Sequence, residues 1–268
     1  MAIRNTFLTT MKIVFSQSLL TLILLPSLSL ALPLEYTASY NIGKYGMDIA
    51  KSNYSLRYEN NGVRMMQHTE TIGLAALLRN DTLDESSFLS FQDNQLLLTE
   101  FSHKQKPSGK KNRDIQLKID WVQSDNKLLG MVSGSAGGKK LEYKVNKPVW
   151  DTNSYLIPLM LNTKEKAQPQ QYTMMIKGEF KTYSFITHGS EKIEVSGQTV
   201  QAIKIERDGS INKNPIYIWL APSLNNLPVK VEKWKNGELQ LTMTLDQAKS
   251  PSDKSMEFKS VVNNTEEF

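Results

Sequence analysis

Between Leu34 and Leu245 the chain returns repeatedly to a period of two. LEYTASYNI (34–42), RDIQLKIDW (113–121), LEYKV (141–145), TVQAIKIERD (199–208) and LQLTMTL (239–245) each alternate apolar and polar residues. Successive side chains of a strand point to opposite faces, so this alternation describes strands with one face buried and one wetted. About a dozen strands meet this criterion. Asn61-Gly62 and Asn236-Gly237 stand between such runs. Both central residues of a type I′ turn need φ > 0, which Asn and Gly reach at least cost, so each pair predicts a hairpin.

The clearest patterning lies in IYIWLAPSLNNLPVKVEKWKNGELQLTMT (216–244). Ile218 and Leu220 point one way, with Tyr217 and Trp219 on the other face. Pro222 ends the strand, since proline is excluded from paired interior positions, and the segment through Pro228 makes the connection. Val229 and Val231 rejoin the core, Asn236-Gly237 turns the chain, and Leu239, Leu241, Met243 and Leu245 return along the apolar face. This predicts a three-stranded meander. Tyr217 and Trp219 then need cover, either from a helix or from a bound apolar molecule.

Helical signals are few. GLAALLRN (73–80) allows one or two turns. WDTNSYLIPLMLNTK (150–164) is stronger, with Asp151 as N-cap, Ser154 in the first turn, and Tyr155, Leu156, Leu159 and Met160 spaced for burial. Pro158 removes a donor and predicts a kinked or broken helix. The polar stretch 249–268, with Pro251 and no period, predicts a disordered tail. The expected fold is all-β: a strongly curved antiparallel sheet or partly open barrel, with one or two short helices and the 151–163 helix across one side. One domain, 32–248, is expected; a break near 146–150 into two β halves is the alternative.

The N-terminus reads as an address. Arg4 and Lys12 precede IVFSQSLLTLILLPSLSLA, no acid occurs before Glu35, and Ser29 and Ala31 are small. A cationic start, an apolar run and small residues at −3 and −1 make residues 1–31 a secretory signal peptide cleaved before Leu32, with Met11 as a second candidate start. The expected location is the periplasm, with no transmembrane helix after cleavage. Cleavage removes two cations and lowers the formal charge from +5 to +3, too mild to argue for nucleic acid. The chain has no cysteine, hence no disulfide, thiolate ligand or lipobox.

Catalytic and metal patterns are weak. His68, His103 and His188 have no second ligand at metal spacing, and no metal or cofactor is expected. Ser190, His188 and Asp151 share residue types with a hydrolase triad but lack a nucleophile elbow. GSAGGKK (134–140) fails the phosphate-loop spacing and reads as a hairpin, and the basic run 104–113 as a solvated loop. Asp81, Asp84 and Glu85 are close in sequence, which does not establish a cleft.

WLAPSLNNLPVKVEKWKNGELQL, YNIGKYGMDIAKSNYSLRYENNG with TIGLAALL after it, and WDTNSYLIPLML resemble a family of exported bacterial proteins catalogued as domain of unknown function 3108. The resemblance spans about residues 34–246. It implies an exported β-rich domain and no established activity, cofactor or catalytic residues. Together these readings favour a non-enzymatic periplasmic protein that binds an apolar or amphiphilic, lipid-like ligand or assists envelope assembly. Tyr217, Trp219 and Tyr155 are the ligand candidates. Asp151, Ser154, Pro222, Pro228, Asn236 and Gly237 are structural. An envelope hydrolase acting through carboxylates, or an outer-membrane-associated barrel ending at Phe268, are the alternatives.

Overall fold

Fifteen antiparallel strands form one sheet in a computed structural model that describes residues 34–260 apart from 93–94, 109–112, 125–126, 166–167, 209–213 and 255. The proposed signal peptide and Phe268 lie outside the described residues. β1 (Tyr36–Lys44), β2 (Met47–Glu59) and β3 (Gly62–Thr71) lead through α1 (Gly73–Leu78) to β4 (Thr82–Gln92) and β5 (Gln95–Lys106). β6 (Arg113–Ser124), β7 (Lys127–Ala136) and β8 (Lys139–Val145) complete one arm of the sheet, and α2 (Leu156–Asn162) follows. β9 (Gln170–Ile176), β10 (Glu179–Val195), β11 (Gln198–Arg207), β12 (Ile216–Ala221), β13 (Leu227–Lys235) and β14 (Glu238–Lys249) form the other arm, with β15 (Glu257–Lys259) last.

Every neighbour pair but one is a consecutive hairpin; the exception is β1 against β14, which joins the two arms. One sheet therefore runs through residues on both sides of 146–150. The ends of the path, β8 and β9, share no ladder. Trp150 bridges the seam: its N–H donates to the Thr173 carbonyl at 2.9 Å, and its carbonyl accepts from Met175 N–H at 2.8 Å. Tyr143 Oη adds a bond to the Gly178 carbonyl at 3.1 Å and meets Phe180 edge-on. The result is a strongly curved sheet, a partly open barrel whose end strands form no ladder and are bridged by the Trp150 backbone and the Tyr143 side chain.

Alternation fills the interior. Tyr36, Leu56, Met65, Leu89, Leu98, Ile205, Ile218 and Leu245 are almost wholly buried, each at about the same cost to stability if removed as any large core side chain. All five alternating segments quoted above lie in strands, and the meander is β12–β13–β14. Asn236 (φ 53°) and Gly237 (φ 82°) make the tight β13–β14 turn. Pro222 starts a 3-10 turn (Pro222–Leu224), and Pro228 sits in β13 beside a bulge, where its carbonyl accepts from Tyr40 Oη at 2.9 Å.

Four expectations need correction. The Asn61-Gly62 turn is one residue earlier: Glu59 pairs with Gly62, so Asn60-Asn61 turn the chain and Gly62 belongs to β3. The helix expected over 151–163 begins at Leu156, and Pro158 lies in its first turn, where the N–H it lacks would have no partner within the helix. Asp151 is not its N-cap; it caps the turn before it. The tail expected from Lys249 is ordered through Ser260, because β14 reaches Lys249 and β15 pairs with it, burying Met256 and Phe258. Two apolar residues in register outweigh a polar composition.

Candidate functional site

The strand register assigns each polar residue to a side. Ala248, Ala38, Tyr54, Gln67, Glu85 and His103 pair in succession across β14, β1, β2, β3, β4 and β5, and face inward with the buried Ala38 and Glu85. The flanking rows point outward: Thr37, Ser55, Met66, Ser86 and Ser102 on one side, Ser39, Asn53, His68, Asp84 and Lys104 on the other.

Inside, the segment after Trp150 enters the barrel and is fixed by two carboxylates. Asp151 Oδ1 accepts from Ser87 Oγ (3.0 Å), Asn153 N (2.8 Å) and Ser154 N (2.9 Å), and its Oδ2 from Ser154 Oγ (2.7 Å). Burial pushes the Asp151 carboxyl up to about 6, against the bonds from Ser154 and Asn153 that favour its charge. Glu85 Oε1 accepts from Thr152 Oγ1 (2.7 Å) and lies 2.6 Å from His103 Nδ1. Tyr54 and Tyr155 are held neutral, their hydroxyls pushed up chiefly by burial, with the Glu85 charge adding to it. Below this cluster α2 buries Leu156 to Met160, and Asn226 Nδ2 donates to the Met160 carbonyl at 2.9 Å. The arrangement anchors a loop and a plug helix to β4. The Asp151 oxygens and Glu85 Oε1 are engaged in doing so, whereas the buried Asn153 side-chain amide has no partner.

Ser87 and Thr152 escaped the sequence reading, and Glu85 and His103 entered it only separately, one among three neighbouring acids and the other as an isolated histidine. The signal was present: Leu83, Glu85, Ser87 and Leu89 share one phase of β4, so Glu85 and Ser87 had to face the core, and Asp84 beside them the solvent. That same alternation separates Asp84 from Glu85, and Asp81 lies before β4 begins. Asp84 binds His68 outside at 2.6 Å, Asp81 pairs with Arg79 at 2.7 Å, and Glu85 is interior. The hydrolase residues are separated too. His188 Nε2 meets Glu206 at 2.8 Å, and Ser190 Oγ accepts from Gln201, while Asp151 holds its own turn. Among the described residues no group of three or more potential ligands could hold a metal ion, and no helix is long and apolar enough to cross a membrane.

The three ligand candidates divide between the two faces. Tyr217 and Trp219 are neighbours on the outer face of β12, ring centroids 6.2 Å apart, whereas Tyr155 packs at 5.6 Å on Phe185 inside. Trp219 is only 5% exposed, and its neighbours on β11 and β13 cover it. Lys204 and Lys230, its cross-strand partners, lie over the ring at 5.2 and 5.0 Å, and its Nε1–H donates to Glu191 at 2.6 Å. Lysine stems can cover an aromatic face while their charge stays wet.

A broad concavity lies outside. A trough of about 670 Å³ crosses the waist from β15 to β5, with the two outward rows as its walls and Ala38, Tyr54, Gln67 and Ala248 contributing to its floor. Ser, Thr and Asn make up much of the walls, with Met66 among them. His68, Asp84, Lys104 and Lys259 supply charge along it.

A comparison with curated proteins gives no match. A solved structure with a similar fold is the β-barrel-like protein of domain of unknown function DUF1849 from Brucella abortus. It matches with a TM-score of 0.54 and 12% identity, over 81% of this chain and 98% of that one. At that identity the likeness concerns the fold alone. The segments that carry the sequence resemblance, the Trp-Leu-Ala-Pro turn of the meander and the WDTNSYL loop bound inside the barrel, fall within the 35–246 stretch that matches a family model, and the chain belongs to that family, the proteins of unknown function DUF3108.

Proposed function

We propose that this is an exported, non-enzymatic protein of the cell envelope that binds an elongated amphiphilic molecule in the outer trough. The observation that carries the reading is the trough itself: its volume suits a lipid-sized ligand, and its lining combines hydroxyls and charge with the apolar side chains of Met66 and Phe258. Spanning seven strands gives it a length of about 29 Å, enough for an extended chain. The packed interior and the occupied carboxylates favour a ligand outside rather than chemistry within. The polar outward rows are the reverse of a lipid-facing barrel wall and weigh against the membrane-spanning alternative. Export rests on the sequence of residues 1–31 alone.

Mass spectrometry of protein purified natively from the periplasmic fraction tests both parts. The chain should begin at Leu32 and carry a lipid-like molecule. Ser86→Trp and Ser55→Trp, which fill the trough from its walls, should abolish retention without moving the thermal melt. An intact leader in the membrane fraction refutes export. A protein that retains nothing and takes up no fluorescent fatty acid, or retention unchanged by both tryptophans, refutes the binding site.

A further inference from the structure

The short helix α1 is inside out. A helix lying on a sheet should bury its large apolar residues and expose its small ones. Here Ala75 and Ala76 are half-buried, while Leu74, Leu77 and Leu78 are exposed to 76, 82 and 84%. Not one residue of α1 is buried, although Ile72 N–H ties its start to the Ile49 carbonyl of β2 at 3.0 Å. The β1–β2 turn beside it projects Tyr45 and Met47, exposed to 79 and 62%. Leu239, also exposed, lines the concavity next to Tyr45 from the neighbouring β14.

All of these lie at one end of the barrel, the end of the β1–β2, β3–β4 and β13–β14 connections. In sheet order this apolar patch is flanked by Lys106 at the end of β5 and Lys235 at the end of β13, with Lys44 at the end of β1 within it. Lys44 Nζ lies 4.9 Å over the Tyr45 ring, and Arg79 follows α1 directly, paired with Asp81. Glu238 and Asp48 are the acids at the same turns. The patch is a set of projecting tips rather than a groove. Projecting leucines and a tyrosine between lysines fit a surface that is apolar in depth and negative at its face.

We propose that this end of the barrel docks on an anionic lipid bilayer, with Leu74, Leu77, Leu78, Tyr45 and Met47 entering the headgroup region and the flanking lysines meeting lipid phosphates. The proposal is independent of the trough, which crosses the waist rather than the end. Co-sedimentation of the purified full chain with phosphatidylglycerol/phosphatidylethanolamine vesicles, and with phosphatidylcholine vesicles, tests it. Binding should favour the anionic vesicles and weaken with salt. Leu74→Ser/Leu77→Ser/Leu78→Ser should lower the partition coefficient by about tenfold or more while leaving the melt unchanged, since these side chains are already in water. Lys44→Gln/Lys235→Gln should reduce only the binding to anionic vesicles. Ser86→Trp should bind vesicles as the wild type does, which separates this surface from the trough. Equal binding of the triple serine variant and the wild type overturns the proposal. So does a wild type that ignores anionic vesicles, or one whose dimer in solution is broken by the serines, which would assign the patch to a second copy of this chain.

Discussion

Asp151→Asn isolates the cost of holding a carboxylate in the interior. Asp151 is wholly buried, and its environment raises the carboxyl from the ordinary 3.8 to about 6. Desolvation and the four hydrogen bonds oppose each other, and the upward direction says that desolvation wins. A shift of about two units corresponds to about 3 kcal/mol. The sign follows from proton counting. Between 3.8 and about 6 the folded protein keeps a proton that the unfolded chain has released. Stability therefore falls as pH rises through that window, with no penalty below it and the full penalty above. Asparagine keeps an oxygen for Ser87 Oγ and the Asn153 and Ser154 amides, and offers N–H to Ser154 Oγ, but does not titrate. Urea melts of both proteins across the window give the difference directly, because every other carboxylate titrates in both. Wild-type stability relative to the variant should decline by about 3 kcal/mol from acid to neutral pH. A flat difference would mean that water reaches the carboxylate. A rising one would mean that the hydrogen bonds outweigh burial, and would refute the reasoning.

Two further substitutions probe the packing. Gly62→Ala places a Cβ 2.2 Å from the Leu89 carbonyl oxygen, a backbone atom that cannot rotate away, and should cost about 3 kcal/mol or more in a urea melt; an unchanged midpoint would mean that β3 and β4 are not in this register. Trp219→Ala removes a nearly buried ring beneath Lys204 and Lys230 together with its bond to the exposed Glu191, so it should cost about 3–5 kcal/mol, comparable with Leu245→Ala. A melt left intact, with loss of uptake of a lipid probe, would instead return Trp219 to a ligand site.

The period of two was enough to determine that this chain is a β-sheet protein, that 216–244 is a meander turned at Asn236-Gly237, and which face of most strands is buried. Those properties are local: a strand's facing depends only on residues two apart, and a tight turn only on which residues tolerate positive φ. The same logic could have placed Glu85 and Ser87 inside with Leu83 and Leu89. What they meet there is a different matter. Asp151 lies 64 positions from Ser87, and the sequence offers it as a helix cap as readily as an interior anchor; only closure of the sheet around the Trp150 seam brings the two together. Cover for Trp219 was equally invisible, because it comes from lysines on β11 and β13 whose register is set by pairing, not by composition. The tail was misread for the same reason. Met256 and Phe258 are two apolar residues in a polar stretch, and they become core only because β13 starts too late to cover that end of β14. Local periodicity is written residue by residue along the chain, whereas burial of a polar group, the partner of a carboxylate and the exposure of Leu77 depend on which distant strands arrive beside them.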